Sequence, residues 1–241
     1  MKLGVTCAIM AFNEEASLAA AVEEVRAALD GSGRRYEILI VDDGSTDRTG
    51  AIADRLASSP GGVVRAIHHG KNRGPGSAIV TGVVEARQPL YCFHPADNQV
   101  AFADVARALD LLDGEFDLLV GQRSDRRDYS LARKVASFGY IALARALFGL
   151  AGFRDFNFIY LWRTDLVRKM LPLSTSGVFL CTEILVRARD AGARIGVAPA
   201  AYRPRTAGVS TVARPRVVAD TFVQMMRFWI TRRRRLASGG P

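Results

Sequence analysis

The sequence predicts an α/β protein with a mostly parallel central sheet and helices on both faces. Three observations predict it. Short apolar runs alternate with amphipathic stretches through the first half of the chain, which is the pattern of βαβ units. Two of these runs, Tyr36 to Val41 and Leu90 to Phe93, lead directly into carboxylates, Asp42-Asp43 and Asp97. In an open α/β sheet, the carboxyl edge of the strands is where ligands bind. Finally, an apolar fraction of 49% over 241 residues supports a substantial core and excludes bulk disorder.

The elements follow in order. Leu3 to Met10 reads as a strand, and Glu14 to Asp30 as a helix with Leu18, Val22, Val25 and Leu29 on one face. Glu37 to Val41 is a second strand. Ser45 or Thr46 is placed to cap a helix running to Ser58 with Ile52 and Leu56 inward. Val63 to Ile67 is a third strand, and a glycine-rich turn opens a helix over Gly74 to Ala86. Leu90 to Phe93, a helix over Phe102 to Leu112, and a strand at Asp117 to Val120 complete the regular half. The second half is less regular: helix at Leu131 to Leu147, strand at Phe156 to Leu161, helix at Asp165 to Met170, helix at Thr182 to Ala191 and strand at Ile195 to Val197. A last helix is expected over Pro215 to Arg235, with Val218, Phe222, Met225, Met226 and Trp229 at helical spacing.

Composition narrows the function classes. Cys7, Cys92 and Cys181 have no zinc or redox spacing and read as free thiols in a reducing compartment. Adjacent His68 and His69 on a strand point to opposite faces and make a poor metal pair. From Arg214 onward there are seven arginines and one acid, Asp220, so this tail carries +6 of the net +9. The basic character is therefore local, and a nucleic-acid surface over the whole fold is not indicated. The basic helix, apolar on one side and ending in Arg232 to Arg235, suits an anionic membrane surface, although it could equally dock on the core. The first residues run straight into a strand without a signal-peptide pattern. No stretch reaches the roughly 18 apolar residues of a spanning helix. A cytoplasmic protein, peripheral at the inner face of the membrane, is expected, and the apolar tail could also serve a homodimer.

Six segments carry the chemistry: Ala11-Phe12-Asn13-Glu14-Glu15, Val41-Asp42-Asp43-Gly44-Ser45, Asn72-Arg73-Gly74-Pro75-Gly76-Ser77-Ala78, Ala96-Asp97-Asn98-Gln99, Gly121-Gln122-Arg123, and Tyr202 to Ser210 with Arg205 and Gly208. In this order they resemble glycosyltransferase family 2, and within it the dolichol- or polyprenol-phosphate sugar transferases. The resemblance covers nearly all of residues 4 to 210. It implies a GT-A (Rossmann-like) fold and an inverting transfer from a nucleotide sugar. One domain over 1–213 is expected, with a nucleotide-sugar half (1–99) and an acceptor half (100–213), followed by the basic amphipathic tail (214–241).

On this resemblance, Ala11, Phe12, Glu14, Asp43, Gly74, Ala96 and Arg205 contact the nucleotide sugar. Glu14 and Asp43 can accept hydrogen bonds from a base or ribose, with Asp42 the more structural member of its pair. The turn at Asn72 to Ala78 can bring free N–H groups to phosphate, or simply cap a helix. Asp97 and Gln99 match metal-contacting positions and imply a divalent cation, Mg²⁺ or Mn²⁺, that bridges the donor diphosphate. Pro95 departs from the family by standing where a first Asp is usual, and Pro75 stands where lysine is usual. Arg123, Arg133 and Ser137 match an acceptor-phosphate site, the last two one helical turn apart. Arg126 and Arg127 could substitute, and Asp155 and Asn157 shape the acceptor wall. Glu183 sits where relatives with a hydroxyl acceptor carry a general base, and polyprenol-phosphate relatives can carry a Glu there too, so it does not decide the acceptor; the expected catalytic set is Asp97, Gln99 and Glu183. The implied reaction moves a hexose from a UDP- or GDP-sugar to polyprenyl phosphate. The alternatives are a soluble hydroxyl acceptor or a degenerate nucleotide-binding module.

Overall fold

The computed structural model describes residues 2–97, 99–123, 131–154, 156, 160–174, 177–200 and 215–238, with only the backbone described at residues 123, 131–133, 160, 200 and 215. Among them, β1 (Val5–Ala11), β2 (Tyr36–Asp42), β3 (Val64–His68), β4 (Leu90–Pro95), β5 (Leu118–Arg123), β6 (Tyr160–Arg163) and β7 (Ile195–Ala200) form one sheet in the order β3-β2-β1-β4-β6-β5-β7. All neighbouring pairs are parallel except those made by β6, which runs antiparallel between β4 and β5. One reversed strand leaves β4 and β5 pointing the same way. The carboxyl ends of β1, β2, β3, β4, β5 and β7 therefore share one edge.

The helices are α1 (Leu18–Asp30), α2 (Thr49–Ala57), α3 (Pro75–Glu85), α4 (Phe102–Ala108), α5 (Leu131–Phe148), α6 (Thr164–Arg168), α7 (Leu180–Asp190) and α8 (Pro215–Ala237). Period-two alternation in the strands sorts the core into two layers. Cys7, Ile9, Ile38, Ile40, Leu90 and Cys92 face α1 and α4, while Ala8, Tyr91, Phe93, Leu118 and Val120 face α3, α5, α7 and α8. Tyr91 stacks on Trp162 of β6 at 5.1 Å, which anchors the reversed strand.

Several boundaries differ from the expectation. Helix α1 begins at Leu18, because Glu14 to Ser17 form turns that satisfy the loop instead. Neither Ser45 nor Thr46 caps α2. That helix starts at Thr49, whose N–H donates to the Asp47 carboxylate at 2.9 Å. The segment expected as one helix over Phe102 to Leu112 is α4 followed by a 3₁₀ turn at Leu109–Asp113. That turn places Asp110 and Asp113 around the fully buried Arg34 side chain, at 2.5 and 2.7 Å. Arg34 also donates to the Leu3 carbonyl at 2.9 Å and so locks the start of β1 to the far end of α4.

Helix α8 divides its apolar side chains. Met225 and Phe228 are buried against Phe148 and Phe179, whereas Val218, Phe222 and Ile230 are exposed. Arg232 is tied to Asp190 at 2.6 Å, and the Arg233 guanidinium lies 5.0 Å from the Trp229 ring centroid. Among the described residues, no helix is long and apolar enough to cross a membrane.

Candidate active site

The strand ends are laddered to one another before any side chain is considered. Asp43 N–H donates to Ala11 C=O at 2.9 Å, His69 N–H to Asp42 C=O at 2.9 Å, and Ala96 N–H to Met10 C=O at 3.1 Å. Ala11 is in register with Asp42, and Met10 with Pro95. Asp43 and Ala96 thus flank the end of β1 on either side. Two strand spacings, about 10 Å, separate them.

The loops above this edge are held by side chains. Asn13 adopts a left-handed φ of 55°. Its backbone N–H donates to Ser45 Oγ at 2.9 Å, and its Oδ1 accepts from Thr46 N–H at 2.8 Å. Asn tolerates this conformation and can hydrogen-bond locally, so one residue fastens the β1 loop to the β2 loop. Phe12, just before it, is 42% exposed and stands at the edge. Glu14 donates its N–H to Thr49 Oγ1 at 2.8 Å, and its carboxylate accepts from the Ser17 hydroxyl. Gly44, at φ 74°, packs so closely on the β3 loop that a Cβ there would lie 2.4 Å from the Lys71 carbonyl carbon. A side chain at Gly44 would push the two loops apart.

The acidic pair Asp42-Asp43 is matched by the histidine pair His68-His69, and this pairing carries no local sequence signal. Successive strand residues point to opposite faces, so each histidine meets a different aspartate. His68 Nδ1 lies 3.0 Å from Asp42 Oδ2, with its Nε2 2.9 Å from Asp54. His69 Nδ1 lies 2.7 Å from Asp43 Oδ1, with its Nε2 2.9 Å from Thr81 Oγ1. Asp42 also accepts from Ser45 N–H at 3.0 Å. Burial pushes its carboxyl up, but the bonds from Ser45 and His68 outweigh that and hold it below the ordinary value.

Asp43 is 4% exposed and does more structural work than its sequence suggested. It accepts from Arg73 N–H at 2.9 Å and Gly74 N–H at 2.8 Å. The Gly74 N–H that sequence reasoning offered to phosphate therefore donates to Asp43, which caps the entry to α3. Both aspartates of the pair are structural, and Asp43 stands at the carboxyl edge of the sheet as well.

Asp97 lies one turn beyond β4, partly exposed, and its Oδ1 accepts from Gln99 N–H at 3.2 Å. Among the described residues, no group of three or more His, Cys, Asp or Glu side chains could hold a metal ion by itself. One carboxylate at a strand end still fits a hard cation that takes one or two protein carboxylates and completes its shell with substrate phosphates and water.

The acceptor-side residues are placed less fully. Arg123 ends β5 on the same edge, Arg133 lies in the first turn of α5, and only the backbone of each is described. Ser137 is one turn further along α5 and is partly buried. Arg205, Arg126, Arg127, Asp155 and Asn157 lie outside the described residues. Glu183 lies in the first turn of α7. It is fully buried in α7, where its Oε1 accepts from Ser174 N–H at 2.8 Å and Ser174 Oγ at 2.7 Å and pairs with Arg187 at 2.7 Å.

Comparison with known proteins gives these features a context. A family model described as "Glycosyl transferase family 2" matches residues 6–168. An undecaprenyl-phosphate 4-deoxy-4-formamido-L-arabinose transferase from Edwardsiella ictaluri is 33% identical over 132 residues, 55% of this chain and 41% of that protein. A dodecaprenyl-phosphate galacturonate synthase from Rhizobium johnstonii is 36% identical over 128 residues, 53% of this chain and 38% of that protein. The aligned part of this chain thus spans about two-fifths of the length of these curated relatives. Among solved structures, glucosyl-3-phosphoglycerate synthase from Mycobacterium tuberculosis, in complex with Mn²⁺, UDP and phosphoglyceric acid, superimposes with a TM-score of 0.72 at 16% identity, covering 94% of this chain and 78% of that one. The likeness is one of fold.

Proposed function

Because the chain belongs to glycosyl transferase family 2, we propose that it transfers a hexose from a UDP- or GDP-sugar to polyprenyl phosphate, with inversion at the anomeric carbon. The observation that carries this reading is the strand edge itself, with Asp43 on one side of β1 and Ala96-Asp97 on the other. The polyprenyl-phosphate transferases among its relatives support the acceptor class.

In this reading the nucleobase lies against Ala11 and Phe12, with Glu14, Asp43 and the Gly74 turn forming its wall. The diphosphate lies over Ala96 and Asp97, and Arg205 would bind it. Asp97 and Gln99 would hold Mg²⁺ or Mn²⁺, whose charge stabilises the departing nucleoside diphosphate. Solved fold neighbours bound to UDP with Mn²⁺ or Mg²⁺ support that choice of ion. Arg123, Arg133 and Ser137 would hold the acceptor phosphate. One oxygen of that phosphate attacks the anomeric carbon as the bond to the nucleoside diphosphate breaks on the opposite side, so an α-linked donor yields a β-linked lipid product.

A phosphate is already ionised and needs no proton removed, whereas a hydroxyl acceptor needs a general base. In this reading Glu183, bound to Ser174 and Arg187, holds α7 to its neighbouring loop and is not needed as a base. The reaction would take place at a membrane surface on the cytoplasmic side.

The test is incubation with radiolabelled UDP- and GDP-hexoses, Mn²⁺ and undecaprenyl phosphate in detergent, followed by organic extraction. Label in the lipid phase from one nucleotide class, lost with EDTA, is expected. Label confined to water-soluble products would move the reading to a hydroxyl acceptor. Nucleotide binding without turnover of any acceptor would leave a non-catalytic module.

A further inference from the structure

Helices α5 and α8 expose large apolar side chains: Val135 (64%) and Phe138 (72%) on α5, Val218 (42%) and Phe222 (51%) on α8. The contacts of α7 show that these four gather at one end. Tyr140 meets Thr182 at 2.6 Å, and Gly149 C=O accepts from Arg189 at 3.2 Å, so α5 and α7 run in the same direction. Gln224 sits beside Gly177, and Arg232 pairs with Asp190, so α8 also runs with α7. The end of α7 leads into Ile195, which is in register with Leu118 at the amino end of β5. The first turns of all three helices therefore lie towards the carboxyl edge of the sheet, where the candidate site is.

The charge around this lip is mostly basic, with Lys134 and Arg216 against the exposed Asp220. Helix α5 contains no acid, α8 contains only Asp220, and Lys134 and Arg216 are exposed beside the apolar residues. An apolar tip flanked by Lys134 and Arg216 matches an anionic bilayer, whose surface attracts basic groups and whose interior accepts the rings. The arginine run is less suited to insertion. It stands about 18 Å further along α8 than Phe222, with Arg232 engaged by Asp190 and Arg233 by Trp229.

We propose that the amino-terminal two to three turns of α5 and α8 form a membrane-docking lip that inserts Val135, Phe138, Val218 and Phe222 into an anionic lipid surface and turns the carboxyl edge of the sheet towards it. This deepens the lipid-acceptor reading by naming the surface and the orientation, and it has a test that does not need turnover.

The measurement is co-sedimentation of the full chain with vesicles of phosphatidylcholine alone and of phosphatidylcholine with about 30% phosphatidylglycerol, with no acceptor lipid present. Binding to the anionic vesicles is expected, with a loss of at least about five-fold in Phe138→Ser/Phe222→Ser and a smaller loss in Arg234→Gln/Arg235→Gln. A Phe138→Trp variant, which keeps the lip apolar, should show extra fluorescence quenching with brominated lipids. Serine variants that bind like the unmodified protein, or an introduced indole whose emission is not quenched, would overturn the proposal. So would a dimer in solution that the serine variants dissociate, since the lip would then face a second copy. Transfer to a short, water-soluble polyprenyl phosphate separates the two readings. If the acceptor reading holds, the serine variants retain it. If no variant transfers to any polyprenyl phosphate while vesicle binding behaves as expected, the acceptor reading alone falls.

Discussion

At the scale of single residues, most of the edge is held together by its own side chains. Asp42, Asp43, Asn13 and Gly44 are consumed in fixing loops. Asp97 accepts from the Gln99 backbone and remains partly exposed. Asp97→Ala should lower transfer by at least about a hundred-fold in a protein that still melts cooperatively. A kinetic assay beside a urea melt checks both, and equal turnover would remove Asp97 from the chemistry. His68 gives a second residue-scale expectation. Its hydrogen bond to Asp42, helped by Asp54 against a burial cost, raises its pKa above 6.5. Its stabilising contribution is thus complete below the unfolded value and is lost as pH rises through the folded one. Asp42, lowered below 3.8, contributes in the opposite sense and loses its part as pH falls. The difference in urea midpoint between the unmodified protein and His68→Ala should be largest near about pH 5 to 6 and shrink above about pH 8. A pH-independent difference would show that the imidazolium is not what stabilises this contact.

At the scale of elements, what the sequence disclosed depended on range. Alternation within β1, β2 and β4 is a local signal, and the carboxylates at the strand ends follow from it directly. The reversal of β6 is not local. Tyr160–Arg163 is short, and its direction is fixed by pairing with β4 and β5 and by the Trp162 ring stacked on Tyr91. The matching of Asp42-Asp43 with His68-His69 needs the β2–β3 register, which no single stretch of sequence contains. Glu183 looked available because its motif carries an acid; only the approach of Ser174 and Arg187 reveals its employment. The break of the α4 segment into a 3₁₀ turn is likewise a tertiary effect, since it brings Asp110 and Asp113 to Arg34. Arg34→Ala should cost about 2–3 kcal/mol, because it leaves a buried cavity and two carboxylates without their shared partner. Equilibrium denaturation measures this, and a loss within about 0.5 kcal/mol would mean that water replaces the guanidinium freely.

At the scale of the whole molecule, α8 completes the core as well as contributing to the surface. Met225 and Phe228 close the layer formed by Phe148, Phe179 and Ile184. Phe228→Ala should destabilise the fold by about 3 kcal/mol, and removal of α8 should leave that apolar layer open and the protein prone to aggregate. Thermal melts and light scattering test the two; a truncated chain that melts like the full one would make α8 an appendage.

The neighbouring thiols of Cys7 and Cys92 suggest a practical use. They sit in register on the parallel strands β1 and β4, both fully buried, and burial together with the neighbouring sulfur raises the Cys7 pKa. Thiolate is the reactive form, so neither sulfur should meet a maleimide until the middle of the sheet comes apart. The rate at which these two sulfurs are alkylated is then a clock for the deepest opening of the protein, readable on the unmodified chain by mass spectrometry.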